Sequence, residues 1–317
     1  MEKIVVSSSP HIHSGAKTSK IMLDVIIALI PATVAAVVFF GLKALLLVCV
    51  SVGTAVLSEF LFNLICKKKQ TVGDLSAVIT GLLLALSLPA TTAIWQVVIG
   101  AVFAIVVVKC LFGGIGCNFA NPAIAARIVM IISFTNTVAG GVSTKFADSP
   151  LVAGATPLQL IGKEGATLPT LVDMLIGNRA GAIGETCAIA LIIGGAYLLI
   201  KKVISWHTPV VFIASTFVLT FLFSGFNVTE ALYHVLSGGL LIGAIFMATD
   251  YSTTPVTNWG KVIFAFGCAF FTVIIRIFGS LPEGVSYAIL LMNILATPIE
   301  LLTAPKAFGA KKKGGKA

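Results

Sequence analysis

The sequence predicts an all-α integral membrane protein, with ten transmembrane helices arranged as two inverted five-helix repeats and broken helices near the midplane. Three observations lead there. Of 317 residues, 58% are hydrophobic and 10% charged, against about 25% charged in ordinary soluble domains, and the mean hydropathy is +1.07. Apolar runs near 20 residues, the length that crosses a hydrocarbon core about 30 Å thick, recur along the whole chain. One long polar interruption, residues 136–182, has five apolar runs on either side. Five is odd, so the second set enters the membrane in the opposite sense, which makes an inverted-topology repeat.

Residues 1–20 form a polar tail without the charged start, apolar core and cleavage site of a signal peptide in that order, so the first span is expected to be retained. His11 and His13 in that tail have no carboxylate or cysteine beside them and read as exposed residues rather than metal ligands. The first repeat, 21–135, holds spans 21–40, 44–65, 75–89, 93–112 and 121–135. Its third and fifth spans are short and carry breakers: Gly81 and Pro89 in one, Asn121-Pro122 opening the other. The second repeat, 183–302, holds spans 183–200, 208–224, 231–248, 260–278 and 285–302. Two weak internal matches relate the halves, 73–89 with 227–246 and 121–128 with 290–300. The chain closes with a basic tail, 303–317, suited to an anionic leaflet.

With the N-terminus in the cytoplasm, sixteen of the 21 Lys and Arg residues fall on the cytoplasmic side, Lys109 and Arg127 among them, and five outside. That asymmetry puts both termini in the cytoplasm and segment 136–182 outside it. The net charge of +9 therefore reports orientation and not nucleic-acid binding. The six cysteines are scattered, with no CxxC pair, and read as packing residues. Cys110 and Cys117 flank a glycine-rich break.

Three stretches and a pair of carboxylates could carry chemistry. In GGIGCNFANPAIAAR (113–127), glycines free the backbone and Pro122 takes the first position of a helix. Asn121 is then either a simple N-cap, or it joins Asn118 in hydrogen-bonding a planar polar heterocycle, with Arg127 nearby. In FMATDYSTTPVTNWG (246–260), Asp250 follows an apolar helix and precedes a run of hydroxyls. It is either a capping aspartate or, through the inverted repeat, a neighbour of the 113–121 break in one cavity. Among carboxylates in or at spans, Glu59 and Asp24 are the candidates for an ion path, because intramembrane charges are costly. Finally, in AGATP (153–157) Thr156 reads as an N-cap with Pro157 at the first helical position. A helix start favours phosphate, and Gly154 and Ala155 leave room for a large ligand.

The stretches AGAT (153–156), NFANPA (118–123) and FMATD (246–250) resemble motifs of one family. It comprises flavin-carrying membrane subunits shared by the Rnf electron-transport complexes and the sodium-pumping NADH:quinone oxidoreductases. The resemblance extends over nearly the whole chain, and the short polar N-terminus sides with the Rnf branch. It implies FMN joined through its phosphate to Thr156, beside Gly154 and Ala155, with Ala153 standing where the family has a hydroxyl residue. It implies a non-covalent riboflavin at Asn118 and Asn121, with the FMATD motif contributing Asp250. The implied activity is electron relay within a ferredoxin:NAD+ oxidoreductase coupled to Na+ or H+ translocation, in a prokaryotic cytoplasmic membrane. The chain has no nucleotide-binding fold and no iron–sulfur motif. NAD and ferredoxin are therefore expected on partner subunits: a second covalent-FMN subunit and iron–sulfur and NAD-binding subunits. A separate flavin transferase would supply the FMN. The competing reading is a flavin-free secondary transporter or channel, since inverted repeats and broken helices serve there equally well. A structural subunit with a vestigial flavin site is a second rival.

Overall fold

The computed structural model describes residues 17–146, 153–161, 168–279 and 283–305; His11, His13 and the lysines beyond 305 lie outside the described residues. Helix α1 (Thr18–Phe40) turns at Gly41 into α2 (Leu42–Ile65). Helix α3 (Ser76–Leu86) is short and almost wholly buried. Helix α4 (Ile94–Val102) runs on into a π-helical segment, Phe103–Cys110. Helix α5 spans Pro122–Ser133, and α6 (Thr135–Val138) follows it.

A small two-stranded ribbon pairs β1 (Gly141–Val142) with β2 (Ala153–Gly154) antiparallel, Gly141 opposite Gly154. Two short helices, α7 (Pro157–Leu160) and α8 (Leu171–Ile176), complete the segment. The second half contains α9 (Ala188–Ile200), α10 (His207–Phe223) and α11 (Val228–Leu236). Then come α12 (Leu240–Ile242) with its π-helical continuation Gly243–Met247, α13 (Asn258–Phe278) and α14 (Val285–Thr303).

Among the described residues, four helices, α1, α2, α13 and α14, are long and apolar enough to cross a membrane, and a fifth is added if α11 and α12 with its π continuation count as one bent span. The expected ten spans are thus met on length by four or five. The other apolar helices are shorter, from Ser76–Leu86 to His207–Phe223. Helix α3 and most of α5 are buried in the bundle and so need not be full-length spans, whereas α4, α9 and α10 expose apolar faces. The third expected span ends at Leu86 and the fifth at Ser133.

The eighth expected span, 231–248, is not continuous. It breaks at Ser237-Gly238-Gly239 with a 64° bend, Gly238 taking a positive φ of 64°. A break leaves carbonyls without helical partners. Arg276 of α13 supplies donors: its Nη1 donates to His234 O (2.5 Å) and its Nη2 to Ser237 O (3.2 Å).

In the first half α2 packs on α3 and α4, and α4 on α5; in the second, α10 packs on α11 and α13, and α13 on α14. Helices α1 and α9 join the halves. There Gly194 lets the backbones touch, since a Cβ at that position would lie 2.1 Å from Ala28 O. Small residues at such crossings are how apolar helices approach in lipid.

Candidate functional site: a polar cleft and an orphaned threonine

A cleft opens at the end of the bundle where α1 and α3 begin and α9 ends. Its apolar walls include Met22, Val25, Leu83 and Phe246, and Asn118, Asn121, Asp250 and Lys109 supply polar groups. The structure therefore brings Asn118, Asn121 and Asp250, far apart in sequence, to one cavity.

Each arrives by a local cause. Gly113, Gly114 and Gly116 all have positive φ, which lets the chain coil tightly after the π-helical segment and return to start α5. Asn121 caps α5: its Oδ1 accepts from the Ala123 N–H at 3.0 Å and the Ile124 N–H at 3.4 Å. Its Nδ2 donates to Met247 O at 3.2 Å, tying α5 to the end of the second π-helical segment. In the orientation its neighbours dictate, the Asn293 amide accepts from the Asn121 N–H (3.1 Å) and donates to Thr253 O (3.3 Å). The Asn121 carbonyl is therefore committed to the cap, and one amide N–H remains. Asn118 differs, because its Oδ1 is buried with no hydrogen-bond partner.

Asp250 sits in a turn where its Oδ2 accepts from Ser252 Oγ (2.9 Å) and Thr253 Oγ1 (3.4 Å). Burial raises its carboxyl above its ordinary value, the Ser252 and Thr253 bonds offsetting only part of that rise. It is both the turn aspartate and a cleft residue.

Lys109 is brought to the wall by the last turn of the π-helical segment, and only 2% of the residue is exposed. Its Nζ donates to Glu59 Oε1 (2.8 Å) and Ser76 Oγ (2.6 Å). Thr71 Oγ1 also donates to Glu59 Oε1, at 2.7 Å. Glu59 Oε2 is buried without a partner. Asp24 instead accepts from the Tyr197 hydroxyl at 2.9 Å. Neither Glu59 nor Asp24 lines the cleft, so the two ion-path candidates have separate settings.

Arg127 is a correction. Expected near the asparagines and counted with the cytoplasmic loops, it is 3% exposed and does not line the cleft. Its Nη2 donates to Glu185 Oε1 (2.8 Å) and Glu283 Oε2 (2.5 Å), residues that precede α9 and α14. From mid-α5, its side chain joins a buried charge cluster beside the α11–α12 break.

Thr156 lies at that same end. A Cβ on Gly141 would sit within 4 Å of both the Thr156 methyl and Gly181 N, and Val142 bridges to Gly181. Thr156 N–H donates to Gln159 Oε1 at 3.1 Å, opening α7 with Pro157 at the first helical position. The Thr156 hydroxyl oxygen is buried with no partner, while Gly154 and Ala155 beside it are exposed.

The model of the NQR2, RnfD, RnfE family matches residues 5–309. The chain belongs to that family. A relative from Acetobacterium woodii, the D component of a Na+-translocating ferredoxin:NAD+ oxidoreductase complex, is 43% identical over 98% of this chain and 96% of its own. One from Clostridium ljungdahlii, the D component of a proton-translocating ferredoxin:NAD+ oxidoreductase complex, is 39% identical over 97% and 96%. The D component of an ion-translocating oxidoreductase complex from Escherichia coli is 33% identical over 97% and 99%. Family membership thus covers both ends of the bundle.

Lys109, Asn293 and the cluster partners of Arg127 had no place in the sequence-derived site. Lys109, Arg127 and Arg276 all fall within expected spans, and basic residues inside spans are as unusual as acidic ones.

Proposed function

We propose that this chain is the D component of an Rnf-type ion-translocating ferredoxin:NAD+ oxidoreductase complex. It would carry FMN as a phosphoester on Thr156 and riboflavin in the cleft. The observation that carries this reading is the near full-length similarity to the D components of such complexes. The two sites fit the two flavins. An ester oxygen has no proton to donate, so a buried Thr156 Oγ1 without a partner suits esterification. The exposed Gly154 and Ala155 leave the approach open.

In the cleft, apolar walls suit the faces of a fused aromatic ring. The unpartnered Asn118 carbonyl suits an N–H on the ring edge, and the remaining Asn121 N–H suits a ring carbonyl. Ser76, Thr80 and Asp250 can hold a hydroxylated side chain. Bound flavins would supply one- and two-electron transfer; the protein positions them and shields them from water.

The topology that goes with this reading is ten crossings in two inverted repeats, both termini and the cleft on the cytoplasmic side and Thr156 outside. NAD, ferredoxin and the second covalent FMN belong to partner subunits. The coupled ion is Na+ or H+, since relatives of similar identity are named for each.

The purified chain, coexpressed with a flavin transferase, is expected to give a fluorescent band on a denaturing gel, and Thr156→Val is expected to lose it. A dark wild-type band would remove the covalent-FMN reading, and a colourless protein would favour the flavin-free transporter. Non-covalent riboflavin released by acid is expected to fall at least tenfold in Asn118→Leu while the fluorescent band persists. Asn118 is the cleaner probe because Asn121→Leu also removes a helix cap.

A further inference from the structure

Lys109 is the one charged amine on the cleft wall among the described residues, and its counter-charge stands behind it. Lys109 lines the cavity while Glu59, whose Oε1 is 2.8 Å from the Lys109 Nζ, does not. Ser76 Oγ, itself at the cleft, accepts a second bond from the same Nζ at 2.6 Å. Glu59 is held from the other side by Thr71, which in turn accepts from Asn63 Nδ2 at 3.0 Å. Both charged side chains are nearly fully buried, at 3% and 2% exposed. A ligand in the cleft therefore faces the positive end of an oriented pair in a medium of low dielectric, where such a field is poorly screened.

The arrangement is expensive as pure structure. A buried ion pair adds little stability over apolar packing. Here it also leaves Glu59 Oε2 without a partner. The segment that presents Lys109 is π-helical, a geometry that recurs at functional sites.

We infer that Lys109 sets the redox potential of the cleft flavin, with Glu59 opposing it. The inference rests on the reading of the cleft as a riboflavin site. Reduction of the isoalloxazine ring by two electrons and one proton leaves one negative charge on the ring, and nothing leaves. An ammonium on the wall stabilises that product over the neutral oxidised ring and raises the potential. The Glu59 carboxylate lowers it from farther away. Lys109 is a positioning and tuning residue, not a proton donor.

The test uses the full-length chain in detergent, carrying Thr156→Val so that the cleft holds the only flavin, with riboflavin added to saturation. The flavin is titrated anaerobically with dithionite and followed by its visible spectrum. Lys109→Met is expected to shift the equilibrium at least tenfold toward the oxidised form, a fall of about 30 mV for a two-electron couple. Glu59→Gln is expected to shift it the other way, and Lys109→Arg to stay within threefold of the parent.

The double variant Glu59→Gln/Lys109→Met leaves no unpaired buried charge, so it folds if a single variant does not. It is expected to fall below the parent by less than Lys109→Met. A lost packing role would not produce shifts of opposite sign. Bound riboflavin with potentials unchanged in Lys109→Met, or in the double variant, overturns the inference and leaves the riboflavin site standing. No riboflavin bound to the parent at saturation overturns the site reading, and the inference with it.

Discussion

Arg127 holds two carboxylates from different parts of the chain, Glu185 at 2.8 Å and Glu283 at 2.5 Å. Glu185 is 3% exposed and Glu283 21%, so removing the guanidinium strands Glu185 most. Breaking a buried pair from one side costs about 3–5 kcal/mol. Arg127→Met is therefore expected to lower the thermal midpoint in detergent strongly. Arg127→Lys is expected to lie between the two, since an ammonium keeps the charge but not the fork. An unchanged midpoint in Arg127→Met would show that the cluster carries no stability. The sequence made Arg127 visible as a basic residue inside an expected span, yet not its role. Its partners lie 58 and 156 residues away, and Glu59 lies 50 from Lys109. Such pairings follow from helix packing and leave no local pattern. The cap role of Asn121 was legible because it is local, with proline and first turn within four residues, whereas its bonds to Met247 and Asn293 were not.

Elements show the same division between local and distant causes. The Asn121-Pro122 helix start follows from side-chain capping and the Thr156-Pro157 start from proline at the first helical position, the Thr156 hydroxyl making no cap bond. The two π-helical segments, Phe103–Cys110 and Gly243–Met247, have no residue signature, because one residue per turn more or less is decided by what the helix packs against. The α11–α12 break sits on Ser237-Gly238-Gly239, a breaker cluster in plain view. It stands only because Arg276, 39 to 42 residues beyond the carbonyls it satisfies, reaches back to them. The close crossing of α1 and α9 gives an element-scale prediction. Gly194→Val must push the helices apart, since its Cβ would start 2.1 Å from Ala28 O. Overpacking of this kind costs about 1–3 kcal/mol, so a lower midpoint and lower yield in detergent are expected. Gly53→Ala on α2 meets nothing within 4 Å and is the matched control, expected to lose no stability. Equal midpoints for the two variants would mean the crossing is looser than it looks.

The topology of the whole molecule turns on which helices cross the membrane. Helix α2 packs on α3 and α4 as α10 packs on α11 and α13. Among the described residues, length alone supports four or five crossings. The charge asymmetry survives the corrections at single residues. With the buried Lys109, Arg127 and Arg179 set aside, fourteen basic residues remain on the proposed cytoplasmic side against four outside. Single cysteines in a cysteine-free chain can decide the matter with a membrane-impermeant maleimide on right-side-out vesicles. Lys68, Lys201, Lys43 and Phe226 are all exposed. Both arrangements place Lys43 and Lys68 on opposite sides, because α2 separates them, and both place Lys68 and Lys201 together. They part at Phe226, which follows α10. If the 17-residue α10 crosses, position 226 labels from outside with position 43. If only the four long helices cross, position 226 is protected along with position 201. The packing of α10 in the place α2 holds in the first half, and the absence of any Lys or Arg from 203 to 260, favour a crossing. Labelling at 43 and 226, with protection at 68 and 201, is the expected pattern.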